Sequence, residues 1–183
     1  MVISRGVSYI IFQKPQGILK VTERPTSGNS GIKRHYPAQP VVGVGAVVFK
    51  GDKVLLVRRG QEPAWGSWSL PGGLVELGET LAAAIVRELA EETGLTVTPL
   101  GIAAVAERIF PDPGGRIAYH YVLVDYLCDY LEGELSPGSD ITAARFVSLG
   151  DLPEFDLPPF TADVIRRAWD QKQQGTCLPL MKI

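Results

Sequence analysis

Three glutamates near the middle of the chain, Glu88, Glu91 and Glu92, stand within about one helical turn of each other. On a helical wheel, Glu88 and Glu92 fall at about −20° and +20° on the apolar stripe that contains Leu81 and Ile85. A solvated face would place these acids opposite that stripe, because burying an uncompensated carboxylate destabilises the fold or raises its pKa. Clustered carboxylate oxygens are typical ligands of Mg²⁺ or Mn²⁺. The pattern predicts a divalent cation site; the alternative is a surface cluster of glutamates in an alanine-rich helix.

The helix that carries these acids has clear end signals. Thr80 is suited to the N-cap, and Gly94 is suited to the position just after the last helical residue. The sequence therefore predicts a helix over residues 80–93. Arg87 lies four residues before Glu91, so the two side chains can form an i,i+4 ion pair.

The rest of the chain is rich in strand signals. Two β-branched runs flank Gly51-Asp52, which is typical of a hairpin with a primed turn. A loop and a short extended piece follow at 60–73, then long strands at 95–110 and 117–130, a shorter strand at 144–149 and a final helix at 160–171. Strands before, between and after two helices predict an α/β fold in which helices cover both faces of a mixed sheet.

Composition limits the function further. A chain of 183 residues corresponds to one domain with a short extension, and a net charge of −2 argues against binding a nucleic acid polymer. No apolar segment is long enough to span a bilayer. The two cysteines, Cys128 and Cys177, have neither zinc-site nor disulfide-framework spacing, which fits a cytoplasmic protein.

The first part of the chain reads differently from the rest. Residues 13–40 contain scattered proline, glycine and charge without helical or strand periodicity, as in a linker. Residues 7–12 could form a strand that pairs with a partner chain in a homodimer, or belong to an upstream extension. We therefore predict an arm or linker over 1–35, a folded domain over 36–175 and a tail over 176–183.

A longer pattern surrounds the glutamate helix. Glu79 follows Gly73 after five residues, Arg87-Glu88-Leu89 follow after seven more, and Glu91-Glu92 and Gly94-Leu95 complete the series. This resembles the Nudix box, GX5EX7REUXEEXGU with U aliphatic, at every fixed position. The resemblance extends more loosely over about residues 36–171.

The resemblance implies an α/β/α sandwich and a metal-dependent enzyme. Nudix hydrolases cleave the diphosphate bond of a nucleoside diphosphate linked to another group X, using Mg²⁺ or Mn²⁺. The resemblance assigns Arg87 the role of orienting the glutamates. It places the metal at Gly73, Glu79, Glu88, Glu91 and Glu92, with Glu79 as an outer, supporting carboxylate.

The general base and the substrate contacts are less constrained. Glu91 and Asp140 are both candidate bases, and Asp140 could instead be a turn residue. Arg58 and Arg59 are candidates for binding phosphates, and Trp68 and Tyr121 for stacking on a base, although tryptophans beside strands are commonly core residues. Pro111 lies 16 residues after Leu95, a spacing that resembles the ADP-ribose pyrophosphatase branch.

Three functions follow from these features. The first is hydrolysis of ADP-ribose, a small nucleotide, to AMP and ribose 5-phosphate. The second is a mutator-type nucleoside triphosphate pyrophosphohydrolase, and the third is a non-catalytic Nudix module that senses a nucleotide. The intact acids argue against the third, as does the lack of a DNA-binding segment in residues 1–40.

Overall fold

The computed structural model describes residues 33–61, 64–138 and 140–178. The predictions for residues 1–32, including the strand at 7–12, lie outside this part of the chain. Within it, the fold contains seven strands and two α-helices: β1 (Val41–Lys50), β2 (Lys53–Arg59), β3 (Trp68–Ser69), β4 (Gly72–Leu74), α1 (Leu81–Thr93), β5 (Thr96–Pro111), β6 (Ile117–Glu132), β7 (Ile141–Ser148) and α2 (Pro159–Gln174).

The seven strands form one mixed sheet. Its main path runs β3-β2-β1-β6-β5, with β4 paired to β1 and β7 paired to β2. The predicted hairpin is confirmed, because β1 and β2 pair antiparallel from Phe49↔Val54 to Lys50↔Lys53 around the Gly51-Asp52 turn. Among the described strands, only β1 and β6 pair in parallel, and the chain between them includes α1.

Alternation along β1 divides the core into two layers. Val44, Ala46 and Val48 pack with Ile85 and Leu89 of α1. The opposite face, which includes Val47 and Phe49 of the same strand, packs against Val164, Ile165 and Ala168 of α2. The predicted α/β/α sandwich with helices on both faces of a mixed sheet is therefore confirmed.

The ends of α1 match their sequence signals. The Thr80 hydroxyl accepts a hydrogen bond from the backbone N–H of Ala83 at 3.2 Å, and Gly94 takes the left-handed conformation, with φ 71°, that ends the helix. The last helix and the two long strands also form where predicted, within a few residues at each end.

The loop and short extended piece predicted at 60–73 correspond to a loop followed by β3 and the start of β4, where Gly72–Leu74 pair with β1. One segment differs from the prediction. Residues Leu149–Phe155 form a 3-10 turn that the sequence did not indicate. Both cysteines are free, and no helix among the described residues is long and apolar enough to cross a membrane.

Candidate functional site

The glycine pair of β4 allows α1 to lie close to the sheet. Gly72 has φ 145°, and a Cβ there would collide with the carbonyl oxygen of Val44. A Cβ on Gly73 would collide with the carboxylate of Glu88. Glycine is therefore required at position 72 for β4 to pair with β1, and at position 73 for the Glu88 carboxylate to lie where it does.

Arg87 is the centre of a cluster that we call the Arg87 cluster, formed with Glu79, Glu88 and Glu91. Its Nε and Nη2 donate to the two carboxylate oxygens of Glu79, each at 2.9 Å. Its Nη1 donates to Glu88 at 2.9 Å and to Glu91 at 3.3 Å, and Nη2 also donates to the carbonyl oxygen of Leu74 at 3.0 Å. This planar fork fixes the directions of Glu79 and Glu88.

Glu92 lies on the other side of α1 and has a different environment. The residue is only 9% exposed, and its Oε2 accepts one hydrogen bond, from the backbone N–H of Gly72 at 2.9 Å. Burial raises the pKa of Glu92 to about 7, and the negative charge of Glu88 acts in the same direction. The pKa of Glu88 is also raised by burial, although Arg87 opposes that shift.

The donor chemistry around Glu88 and Glu92 fits a hard divalent cation. Both carboxylates are largely buried, and burial is the main cause that raises the pKa of each. Gly73 presents backbone next to Glu88, so the available donors are all oxygens. Among the described residues, no three acidic, histidine or cysteine side chains converge closely enough to enclose a metal without further ligands. A cation held here would therefore need ligands beyond these side chains.

A cleft of about 260 Å³ opens beside these glutamates, and we call it the central cleft. Its lining contains acids, arginines and aromatic rings together. The acids are Glu88, Glu92, Asp125 and Asp140; the arginines are Arg34, Arg59 and Arg108; and the rings belong to Trp68, Phe110, Tyr121 and Phe160. Carboxylates suited to cations therefore stand beside guanidinium groups suited to phosphates.

Seven of the residues predicted for the site line the central cleft: Gly73, Glu88, Glu92, Asp140, Arg59, Trp68 and Tyr121. Arg59 has a buried Nε with no hydrogen-bond partner in the part of the chain that the structure describes. Asp140 accepts a hydrogen bond from Gln61 Nε2 at 2.8 Å. Trp68 also packs edge-on against Phe155, with ring centroids 5.2 Å apart, so it contacts the α2-side core as well as the cleft.

The remaining predicted residues lie outside the cleft lining. Arg87 and Glu79 stand behind Glu88 as its support. Glu91 points away, with 57% of its side chain exposed. Arg58 is exposed on the opposite side of β2 from Arg59 and donates to the carbonyl oxygen of Gly66 at 2.8 Å. Pro111 is exposed at the end of β5.

Sequence reasoning missed three charged residues of the cleft: Arg34, Arg108 and Asp125. Arg34 falls in the segment predicted as an arm, because its position depends on a contact that no local pattern encodes. The backbone N–H of Tyr36 donates to the carbonyl oxygen of Ala118 at 2.8 Å and attaches this segment to β6. The acidic residue at position 125, within the apolar run of β6, is a sequence signal that predicts a functional carboxylate.

Comparisons with known proteins place this geometry in a family. The model of the NUDIX domain matches residues 39–168. An ADP-ribose pyrophosphatase from Methanocaldococcus jannaschii is 37% identical over 129 residues, which cover 69% of this chain and 74% of that protein. An 8-oxo-dGTP diphosphatase from Escherichia coli is 31% identical over 127 residues, covering 69% of this chain and 93% of that protein. The crystal structure of a MutT NUDIX hydrolase from Burkholderia pseudomallei superposes with a TM-score of 0.62 at 30% identity, covering 70% of this chain and 98% of that one.

The fold, the glutamate helix and these matches identify the class: the chain belongs to the NUDIX family and is a Nudix pyrophosphohydrolase. Nudix hydrolases generally use divalent metal ions, and homologues act on small nucleotide substrates such as ADP-ribose. The relatives are named for two different substrates, so the choice between these substrates depends on the cleft itself.

Proposed function

We propose that the protein hydrolyses ADP-ribose, with Mg²⁺ as its preferred cation, to AMP and ribose 5-phosphate. One observation carries the proposal: incompletely neutralised, buried carboxylates and cleft-facing arginines line the same cleft. A diphosphate with bound cations complements both sets of charges. The relative named as an ADP-ribose pyrophosphatase supports ADP-ribose as the substrate.

In this proposal, Glu88 and Glu92 hold the cation, with the backbone at Gly73 as an additional oxygen donor. Bound there, a divalent cation would polarise the phosphoryl oxygens and lower the pKa of a coordinated water. Arg87 and Glu79 position Glu88. Arg59, whose Nε lacks a protein partner among the described residues, binds the diphosphate oxygens. Trp68 and Tyr121 offer rings to the nucleoside.

Glu91 and Asp140 remain the two candidates for the general base. Asp140 lines the central cleft, where Gln61 orients its carboxylate, whereas most of the Glu91 side chain faces solvent outside the lining. Because a base must reach the attacking water, this placement favours Asp140. Replacing Asp140 with asparagine should then reduce kcat more than replacing Glu91 with glutamine, measured as initial rates at saturating substrate.

The second candidate is a nucleoside triphosphate pyrophosphohydrolase, favoured by the relative named as an 8-oxo-dGTP diphosphatase. A product assay separates the two functions. Purified protein is incubated with Mg²⁺ and ADP-ribose, other nucleotide sugars, dinucleoside polyphosphates or nucleoside triphosphates, and products are separated by chromatography. We expect AMP from ADP-ribose and no turnover in excess EDTA. Pyrophosphate release from triphosphates without cleavage of ADP-ribose would establish the second candidate instead.

A further inference from the structure

Asp125 occupies an unusual position in the middle of β6. It lies between apolar residues and is only 5% exposed. Residues that alternate along a strand share a face, so Asp125 points to the same side as Leu123 and Leu127. Leu127 is buried in the core beneath α2, whereas Leu123 and Asp125 line the central cleft. Asp125 therefore forms the buried floor of the central cleft, next to the core that packs against α2.

The carboxylate of Asp125 has no hydrogen-bond or ion-pair partner among the residues that the structure describes. Arg108, which also lines the cleft, is the charge that acts on it. The Arg108 guanidinium packs over the Phe160 ring at 5.2 Å and the Phe110 ring at 5.9 Å. Burial raises the pKa of Asp125 to about 6, as expected for a carboxyl group without donors.

Glycine provides the space for this side chain. Gly45 is the register partner of Asp125, and a Cβ on Gly45 would collide with Asp125 Oδ1. On its other side Gly45 pairs with Gly72, the residue whose N–H binds Glu92. The Asp125 backbone thus lies two strand spacings, about 10 Å, from the Gly72 backbone, and its carboxylate reaches over Gly45 between them. Because a diphosphate is anionic and has no hydrogen-bond donor at neutral pH, a group that donates to Asp125 belongs to the nucleoside or sugar part of a substrate.

We propose that Asp125 is a specificity-determining residue that accepts a pair of hydrogen bonds from the nucleoside or sugar part of the substrate. The inference rests on the proposed function and adds to it the chemistry of the group that is recognised. A carboxylate has two acceptor oxygens, which match two adjacent donors. A ribose cis-diol presents such a pair, whereas adenine offers only its 6-amino group, and analogues that change each group distinguish the two.

A purely structural role does not explain this residue. A structural aspartate binds backbone N–H groups or a cation, and its removal lowers stability. Asp125 binds neither in the described part of the chain, and its burial as an anion opposes folding. Within the described part of the chain nothing donates to it, and the proposal assigns that donor role to a ligand.

The test compares Asp125→Asn with wild type on a matched set of substrates. ADP-ribose is measured beside analogues that change the adenosine 2′-OH, the 6-amino group or the terminal ribose one at a time. Asp129→Asn, on the same strand but paired with Lys172, is the control. We expect Asp125→Asn to lower kcat/KM for ADP-ribose about 10- to 100-fold, mainly through KM. We expect the analogue that lacks the recognised donors to react equally with both enzymes.

The melting temperature gives a second readout. Above pH 7, Asp125→Asn should melt at the same or a higher temperature than wild type, because it removes a buried charge. A lower melting temperature with unchanged substrate ranking would show a structural role and overturn the proposal, as would an equal loss on every analogue.

Failure of the proposed function is recognised separately. If wild type hydrolyses none of the compounds, ADP-ribose hydrolysis is wrong, and the melting shift that each compound induces then tests Asp125. If Asp125→Asn reduces the ligand-induced melting shift for every compound except the analogue that lacks the recognised donors, Asp125 recognises those donors. Equal melting shifts in wild type and the variant reject the proposal.

Discussion

The two sides of α1 hold acidic residues in opposite ways. In the Arg87 cluster, one guanidinium donates to Glu79, Glu88 and Glu91, and it is itself 14% exposed. On the other side, Glu92 has a single backbone donor, and burial moves its pKa to about 7. Both Glu88 and Glu92 line the central cleft. Glu88 shares the Arg87 guanidinium with two other carboxylates, whereas Glu92 has no side-chain donor among the described residues.

This difference distinguishes Arg87 and Glu79, which position Glu88, from the two carboxylates that face the central cleft, Glu88 and Glu92. The Arg87 cluster provides rigidity, because a bidentate ion pair fixes both partners in one geometry. The side that contains Glu92 faces the central cleft with Asp125 and Asp140. Like charges close together destabilise the free protein and create affinity for cations. Substitutions on the two sides should therefore change stability in opposite directions.

The largest loss of stability is expected from a substitution in the Arg87 cluster. Arg87→Met removes the guanidinium that donates to Glu79, Glu88 and the carbonyl oxygen of Leu74 in a largely buried position. We expect it to lower the free energy of unfolding by about 3 kcal/mol, measured by urea denaturation, and to reduce activity.

Arg166→Met is the matched control for that variant. Arg166 forms an exposed ion pair with Asp163 at 2.8 Å, and exposed pairs contribute about 1 kcal/mol or less. Equal losses in the two variants would mean that the Arg87 cluster is no more than a surface network.

On the cleft side, Glu92→Gln should separate activity from stability. Without metal at pH 8, the variant should melt at the same or a higher temperature than wild type, because it removes a buried negative charge. It should also reduce the melting shift induced by Mg²⁺ and lower turnover about 100-fold. The measurements are thermal melts with and without Mg²⁺ beside a rate assay.

Glu132→Gln, at an exposed position at the end of β6, is the control for Glu92→Gln. It should change neither the melting temperature, nor the Mg²⁺-induced melting shift, nor turnover. A lower melting temperature, a normal Mg²⁺ shift and normal turnover for Glu92→Gln would show that Glu92 is structural.

The pH dependence of stability should reveal the same asymmetry. The folded-state pKa is raised from 4.5 to about 7 for Glu92 and from 3.8 to about 6 for Asp125. The folded protein therefore binds these protons more tightly than the unfolded chain, and stability in EDTA should fall as pH rises from about 4 to 7.

The double variant Glu92→Gln with Asp125→Asn should flatten this fall in urea denaturation curves measured at several pH values. A slope that survives both substitutions would assign the pH dependence to other groups, of which Glu88 is the first to examine, because its pKa is also raised.

The sequence predicted the parts of this molecule that local rules determine. Thr80 and Gly94 marked the ends of α1, and the helical wheel placed Glu88 and Glu92 on the buried face. The hairpin followed from Gly51-Asp52. In each case, the signal and the structure lie within one element, so no knowledge of distant pairing was needed.

The missed residues depend on pairing between distant segments. Asp125 is buried in the cleft floor because β6 pairs in parallel with β1, which places it beside Gly45. Nothing near residue 125 encodes that register. Similarly, of two adjacent arginines, the pairing and twist of β2 decide that Arg59 rather than Arg58 faces the cleft.

The smallest expected effect concerns the segment that precedes the NUDIX match. Tyr36 has φ 50°, which is uncommon for a residue with a side chain and requires compensating contacts. Its hydroxyl donates to Asp112 at 2.7 Å, and the Arg116 guanidinium lies 3.9 Å from the centre of its ring. Together with the bond to Ala118, these contacts hold the neighbouring Arg34 in the lining of the central cleft.

Two deletions test whether this attachment matters. Removing residues 1–33 should leave a folded enzyme with wild-type KM, because Arg34 and Tyr36 remain. Removing residues 1–38 eliminates both, and KM should rise by up to about fivefold with little change in kcat, because an arginine at the cleft edge contributes about 1 kcal/mol or less to binding. Tyr36→Phe, which deletes only the hydroxyl that binds Asp112, should fall between the two. Equal KM values for both deletions would show that Arg34 does not bind substrate, and loss of folding on removal of residues 1–33 would make those residues part of the domain rather than an arm.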